Sequence, residues 1–319
     1  MKRALLILFL SLRSALAQDA QTSVIIAVGA GGEREYAETF AKWAVNWQKA
    51  AAMGGAVAKT IGLDESAKES LTAIRQALQS EPKDGPAELW LVLLGHGNPE
   101  SGDAKFNLTG DDLSASELAA LLQPFSRPVV VIAAFSSSGG FLAPLSAAGR
   151  VIVTATKSGA ERNYARFGGY LSEAIADPAA DLDKDGQTSL LEAWLSSAAS
   201  VAKFYESEGR LATEHSLLDD NGDGKGTPAD WFRGVRVVKK AKDNTVADGL
   251  RTHQLHLVRT TSERALSATA RVERDALEIE VARLRESKTT MPEDAYFQAL
   301  EALLLKLARI YEKAEPAAK

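Results

Sequence analysis

The chain has 319 residues, of which 45% are hydrophobic and 25% charged; this is a globular balance and excludes a collagenous, low-complexity or wholly disordered protein. A net charge of −5 with no polybasic block gives no field that would hold nucleic acid. The absence of cysteine excludes disulfides, thiolate zinc sites, iron–sulfur clusters and a cysteine nucleophile, and the length suffices for two domains.

Residues 1–17 read as an export signal: Lys2 and Arg3 form a positive start, Ala4 to Leu12 an apolar run, and Ala15-Leu16-Ala17 a small-x-small cleavage site. The run is too short to span about 30 Å of hydrocarbon, and Arg13 ends it, so a membrane anchor is the poorer interpretation. Cleavage leaves Gln18 first and removes Lys2, Arg3 and Arg13, which makes the mature protein more acidic still. The expected product is exported, periplasmic or extracellular, with no membrane span.

From residue 18 to 177 short apolar runs alternate with helical patterns. SVIIAVGAG, ELWLVLLGHG, PVVVIAAFSS and RVIVTATKSG are strand-length runs ending in Gly or Ser, the pattern of parallel strands buried on both faces. Helices are predicted over Glu35 to Met53, Ser66 to Ser80 and Ser114 to Leu122, the last opening with Ser114 three residues before Glu117, a capping box. The alternation predicts an α/β sandwich with its functional loops at the carboxyl ends of the strands. Gly29-Ala30-Gly31-Gly32 follows the first strand, but Arg34 stands where a dinucleotide-binding turn needs glycine, so no dinucleotide cofactor is expected. His96-Gly97 ends one strand and Phe135-Ser136-Ser137-Ser138-Gly139 the next, which brings an imidazole and a nucleophile-sized hydroxyl to one rim. His215, His253 and His256 lie in polar stretches and are expected at the surface. Glu161 or Arg162, after the fourth run, could select a charged side chain, although a solvated loop is as good an explanation.

Beyond Ala176 the strand pattern is expected to stop, and residues 178–243 carry two acidic loops. Asp181, Asp183 and Asp185 occupy positions one, three and five of the first; Gly186 permits a sharp turn, Gln187 offers its carbonyl, Ser189 an oxygen, and Glu192 a closing bidentate carboxylate. This is the oxygen spacing of an EF-hand loop and predicts Ca²⁺. Position eight is Thr188, not the apolar residue that usually pairs two such hands. The second loop has Asp219, Asn221, Asp223, Gly224 and Lys225 in the corresponding places, with the shorter Asp230 at position twelve, and predicts a weaker site. The competing interpretation of both loops is a solvated turn built by Asx and Gly residues. Residues 244–319 become charged and helical, with three- and four-residue apolar spacing broken at Thr290-Met291-Pro292; a helical hairpin is expected, suited to packing or self-association.

At His96-Gly97 and Ser136-Ser137-Ser138-Gly139 the chain resembles the caspase-hemoglobinase fold, the clan of legumain-like peptidases, caspases, gingipains and metacaspases. Its pattern is a strand ending in His-Gly followed by one ending in Cys-x-Ser-Gly; VIIAVGAGGEREYAETFAKW is also similar to the opening of legumain-type domains. The resemblance spans Ser23 to Asp177, about half the chain. It implies a caspase-hemoglobinase-like sandwich with a mostly parallel sheet and a His96/Ser136 dyad in which Ser136 replaces the nucleophilic Cys. A thiol is partly ionised near neutral pH, whereas a serine hydroxyl needs a base oriented by a buried acid, and the pattern supplies no such acid. The expectation is an exported calcium-binding pseudo-peptidase that holds peptide or protein segments. Its rivals are a hydrolase using Ser136 and His96, and an assembly module acting through the C-terminal helices.

Overall fold

A computed structural model describes residues 21–63, 68–99, 102–243 and 245–314; the export signal at 1–17 lies outside the described residues. The chain begins with β1 (Ser23–Val28), α1 (Arg34–Gly54), β2 (Val57–Ile61), α2 (Ser70–Ser80) and β3 (Leu89–Gly95). A small antiparallel sheet of β4 (Gly97–Asn98), β5 (Lys105–Phe106) and β6 (Leu113–Ser114) leads into α3 (Ala115–Leu122). Then come β7 (Val129–Phe135), α4 (Leu142–Leu145), β8 (Arg150–Thr154), α5 (Phe167–Ala174) and α6 (Leu190–Ser207).

The four apolar runs form β1, β3, β7 and β8, which pair in parallel. Side chains alternate across a strand, and here both alternating sets are apolar, so the sheet has a core on each face. Ile26, Val92, Ile132 and Val153 pack with Phe40 and Trp47 of α1 and Trp194 of α6. Ile25, Leu91, Val131 and Ile152 pack with Ile74 of α2 and Leu118 of α3. Each such side chain contributes roughly 1.5–3 kcal/mol on burial, which is why the runs read as fully buried strands.

Two features depart from the expectation. β2 pairs with β1 at one edge, yet its Val57, Ala58 and Lys59 are exposed; a half-wet edge strand lacks the continuous apolar run that marks the central ones. At the other edge the strand pattern does not stop at Ala176. β9 (Leu217–Asp219) pairs antiparallel with β8, and β10 (Thr227–Pro228) with β9, so the second acidic loop hangs from the sheet itself. The seven-stranded order is β10-β9-β8-β7-β3-β1-β2.

A hairpin of β11 (Phe232–Arg233) and β12 (Arg236–Val237) precedes α7 (Leu250–Gln254) and α8 (Thr261–Ala265). The tail forms the expected hairpin, α9 (Ala268–Glu286) and α10 (Glu293–Ala314), with Leu277 and Ile310 buried in its own small core. No helix among the described residues is long and apolar enough to cross a membrane.

Candidate functional site

Register sets the rim. Gly95 of β3 lies beside Phe135 of β7, so the next residues, His96 and Ser136, leave adjacent strand ends. Ser136 is 2% exposed, and its hydroxyl is engaged twice by one residue: Oγ donates to the Gly97 carbonyl at 3.0 Å and accepts from the Gly97 amide at 3.1 Å. A Cβ on Gly97 would lie 2.5 Å from the Phe135 ring and 2.6 Å from the Ser136 carbonyl, so only glycine fits. The serine thus clips β7 to the β3–β4 turn. Ser138 clips the other side, its Oγ accepting from the Ala155 and Thr156 amides at 3.0 and 3.1 Å. Gly139 lies so close to Ser158 that a Cβ there would sit 2.2 Å from the Ser158 nitrogen. Between them Ser137 takes a left-handed conformation, φ 62°, its buried hydroxyl without a partner; a non-glycine residue there stores backbone strain.

His96 is boxed edge-on by Tyr36 and Phe40, ring centroids 4.9 and 5.0 Å away, with Tyr164 at 6.1 Å. Burial holds its pKa below the usual histidine value, opposed by a hydrogen bond to the Gly31 backbone, so the ring is neutral at pH 7. The glycine turn after β1 therefore supplies the imidazole's partner. Among the described residues His96 and Ser136 share no hydrogen bond, and no carboxylate pairs with His96. Burial pushes the Tyr164 phenol up to about 12. Glu161 is committed elsewhere, 2.5 Å from His215 Nδ1 and accepting from the Lys157 amide at 3.0 Å, whereas Arg162 is exposed at the rim.

The histidine expectation needs correction. His215 and His253 do sit half out in solvent, His253 with Nε2 2.9 Å from Asp183 Oδ2, but His256 is only 7% exposed. Burial, then Arg274 and His253, depress the His256 pKa to about 3; tail packing on the domain covers a residue whose local sequence is polar.

The two acidic loops have one hydrogen-bond plan. In the first, Asp181 Oδ1 and Oδ2 accept from the Lys184 and Gly186 amides, Asp183 from that of Asp185, and Asp185 from that of Gln187. Positions four and six, Lys184 and Gly186, have φ of 63° and 94°. In the second, Asp219 accepts from Gly222 and Gly224, Asn221 from Asp223, and Asp223 from Lys225, with Gly222 and Gly224 at 78° and 75°. Ligand-capable atoms of Asp181, Asp183 and Asp185 lie within 4.8 Å of one another, as do those of Asp183, Glu192 and His253. Burial, then the neighbouring Asp183 and Glu192, raise the Asp185 pKa. That crowding of hard oxygens fits a calcium ion, which would relieve it.

Glu192 is buried and closes the first loop. Its Oε1 accepts from the amides of Leu182 and Asp183, positions two and three, and its Oε2 from the amide and hydroxyl of Ser189, position nine. The Glu192 amide returns a bond to Ser189 Oγ. In the second loop these bonds are not made by Asp230, whose exposed carboxylate pairs with Lys239 at 2.5 Å. They are made by Asp248: Oδ1 accepts from Asp220 and Asn221, Oδ2 from the Thr227 hydroxyl, and the Asp248 amide donates to Thr227 Oγ1. Asp230 is too short and is carried off by the turn Ala229–Trp231. Asp248 comes from the head of α7, beyond any fixed loop spacing, so the motif missed it. Among the described residues the loops are not bridged to each other by strands: Thr188 donates to the Asp177 carbonyl, and Thr227 pairs with Leu218. The α7 segment links them instead, through Asp220 accepting from Thr252 and through His253 at Asp183.

No protein-family model and no curated protein sequence matches the chain. Among solved structures it is similar to the Drosophila initiator caspase Dronc, at 15% identity over 65% of this chain and 82% of that one, with a TM-score of 0.38. It is similar also to a protein from Geobacter sulfurreducens, at 14% identity over 56% and 89%, with a TM-score of 0.39. The architecture itself is mixed α/β with a mostly parallel central sheet.

Proposed function

We propose that this is an exported, calcium-clipped pseudo-peptidase of caspase- or legumain-like descent, whose strand-end rim holds peptide or protein segments without cleaving them. The observation that carries this reading is the two-way bond between the Ser136 hydroxyl and the Gly97 peptide group. A serine nucleophile must hand its proton to a base held by a third group. Here the hydroxyl proton points to a carbonyl, the imidazole is oriented by a carbonyl, and among the described residues no buried acid stands behind it. The Gly97 amide, an N–H that a developing oxyanion would need, is occupied by the same hydroxyl. What remains is a rim of aromatic rings and backbone groups around His96, with Arg162 at its edge, suited to holding an extended segment. The calcium reading rests on the shared plan of the two loops, with Asp248 taking in the second the place of Glu192 in the first.

The parent protein is expected to leave a diverse fluorogenic peptide library uncut while retaining peptides in an anisotropy assay, and Arg162→Glu should shift the retained set away from acidic peptides. Ser136→Cys tests descent: a thiol is itself partly ionised near neutral pH and needs no third group, so that variant should gain measurable cleavage. Library cleavage by the parent, lost in Ser136→Ala, would establish the hydrolase instead.

A second reading, assembly through the tail, is favoured by one observation. Phe297, Leu304 and Leu305 of α10 are 48%, 47% and 51% exposed, and their spacing places them on one face. Light scattering should report a dimer or larger for the full chain and a monomer for Leu304→Glu/Leu305→Glu; a monomeric parent ends this reading.

A further inference from the structure

The edge of the sheet opposite His96 and Ser136 carries a second concavity. It has a volume of about 680 Å³ and lies between the amino ends of β1, β3, β7 and β8 and the segment running from α7 to α9. Five arginines line it, Arg251, Arg259, Arg264, Arg271 and Arg274, against two acids, Glu88 and Asp275. Both acids are already engaged: Glu88 pairs with Arg259, and Asp275 joins Glu263 and Glu278 around Arg274. Among the described residues Arg251, Arg264 and Arg271 have no carboxylate within ion-pair distance. Arg271 is half-buried and donates only to the carbonyls of Leu266 and Glu263, at 2.5 and 3.4 Å. Burial, then the nearby Arg259, lowers its pKa, so its surroundings disfavour its charge. Leu255 and Ile279 add half-buried apolar side chains to the lining.

We propose that this cavity binds a small organic anion, a carboxylate or phosphate carried on an apolar body. Guanidinium forks match both oxyanions bidentately. A low-dielectric concavity lined by unpaired positive charge focuses its field on such a ligand even in a protein that is acidic overall, and the volume is that of small-molecule sites. The proposal does not depend on the pseudo-peptidase reading, since it uses no residue of the rim or the acidic loops.

The test is calorimetric titration of the full chain with phenyl phosphate and, separately, with benzene-1,3-dicarboxylate, at about 20 mM and about 200 mM sodium chloride. At least one probe should bind at low salt and weaken several-fold at high salt; which one binds identifies the head group. Arg251 and Arg264 are exposed, so Arg251→Gln/Arg264→Gln should fold as the parent does and weaken binding roughly tenfold, the loss of about one charge-assisted contact. Arg271→Gln, checked for an unchanged melting temperature, should weaken it comparably. No binding of either probe overturns the proposal. So does binding that both variants leave unchanged, which would place the anion elsewhere on the surface.

Discussion

The protein in Ca²⁺ should unfold at a markedly higher temperature than in EGTA, and Glu192→Gln should abolish most of that difference. Asp183 is shared by two close groups, one with Asp181 and Asp185 and one with Glu192 and His253, and burial, then the charges of Asp183 and Glu192, already raise the Asp185 pKa. An ion that binds only the folded loop adds RT ln(1 + [L]/Kd), about 2.7 kcal/mol at a hundredfold excess. For a chain of this size that is a rise of roughly 4 °C. Glu192→Gln acts twice. It turns one acceptor oxygen into an NH₂ facing either the amides at positions two and three or the amide and hydroxyl at position nine, which costs about 1–3 kcal/mol even in EGTA, and it removes a charge from the ion's shell. The calcium increment, not the absolute melting temperature, is therefore the decisive quantity. An equal increment in parent and variant would remove Glu192 from the site, and no increment in the parent would leave both loops as acidic turns.

Asp248→Asn should reduce the calcium increment and the number of ions bound, whereas Asp230→Asn should do neither. The sequence pattern alone assigns the opposite order, because Asp230 stands at position twelve. In the fold, Asp248 makes the bonds to positions two, three and nine that Glu192 makes in the first loop, while Asp230 is exposed beside Lys239. Losing that surface pair should cost at most about 1 kcal/mol. Losing the Asp248 acceptors leaves buried donors unsatisfied, at about 1–3 kcal/mol, besides weakening the second ion. Calcium titration calorimetry should give two sites for the parent and Asp230→Asn and one for Asp248→Asn. Two sites in Asp248→Asn and one in Asp230→Asn would restore the loop-spacing assignment.

The four central strands, the long helices and the tail hairpin were legible in the sequence because burial on both faces, or on one helical stripe, leaves a local mark. β2 left little mark because it is a wet edge, and β9 because a strand as short as Leu217–Asp219 has no period to detect. The rim was legible as residue types: His96 and Ser136 do leave neighbouring strand ends. What hydrogen-bonds to what was not legible, since the Gly31 partner of His96 and the Gly97 partner of Ser136 depend on turn geometry. Asp248 was hidden for a different reason. A carboxylate supplied to a loop from the head of a later helix has no fixed spacing, and Asp248-Gly249 reads locally as a helix start. His256 shows the same limit, its burial coming from helices far along the chain.

The most direct test of the central claim is labelling of the purified protein, in Ca²⁺, with a serine-reactive fluorophosphonate alongside Ser136→Ala. With the Ser136 proton committed to the Gly97 carbonyl and, among the described residues, no acid behind His96, the parent should label no more than the alanine variant. Stoichiometric labelling of the parent that Ser136→Ala abolishes would show an activated serine and contradict the pseudo-peptidase account.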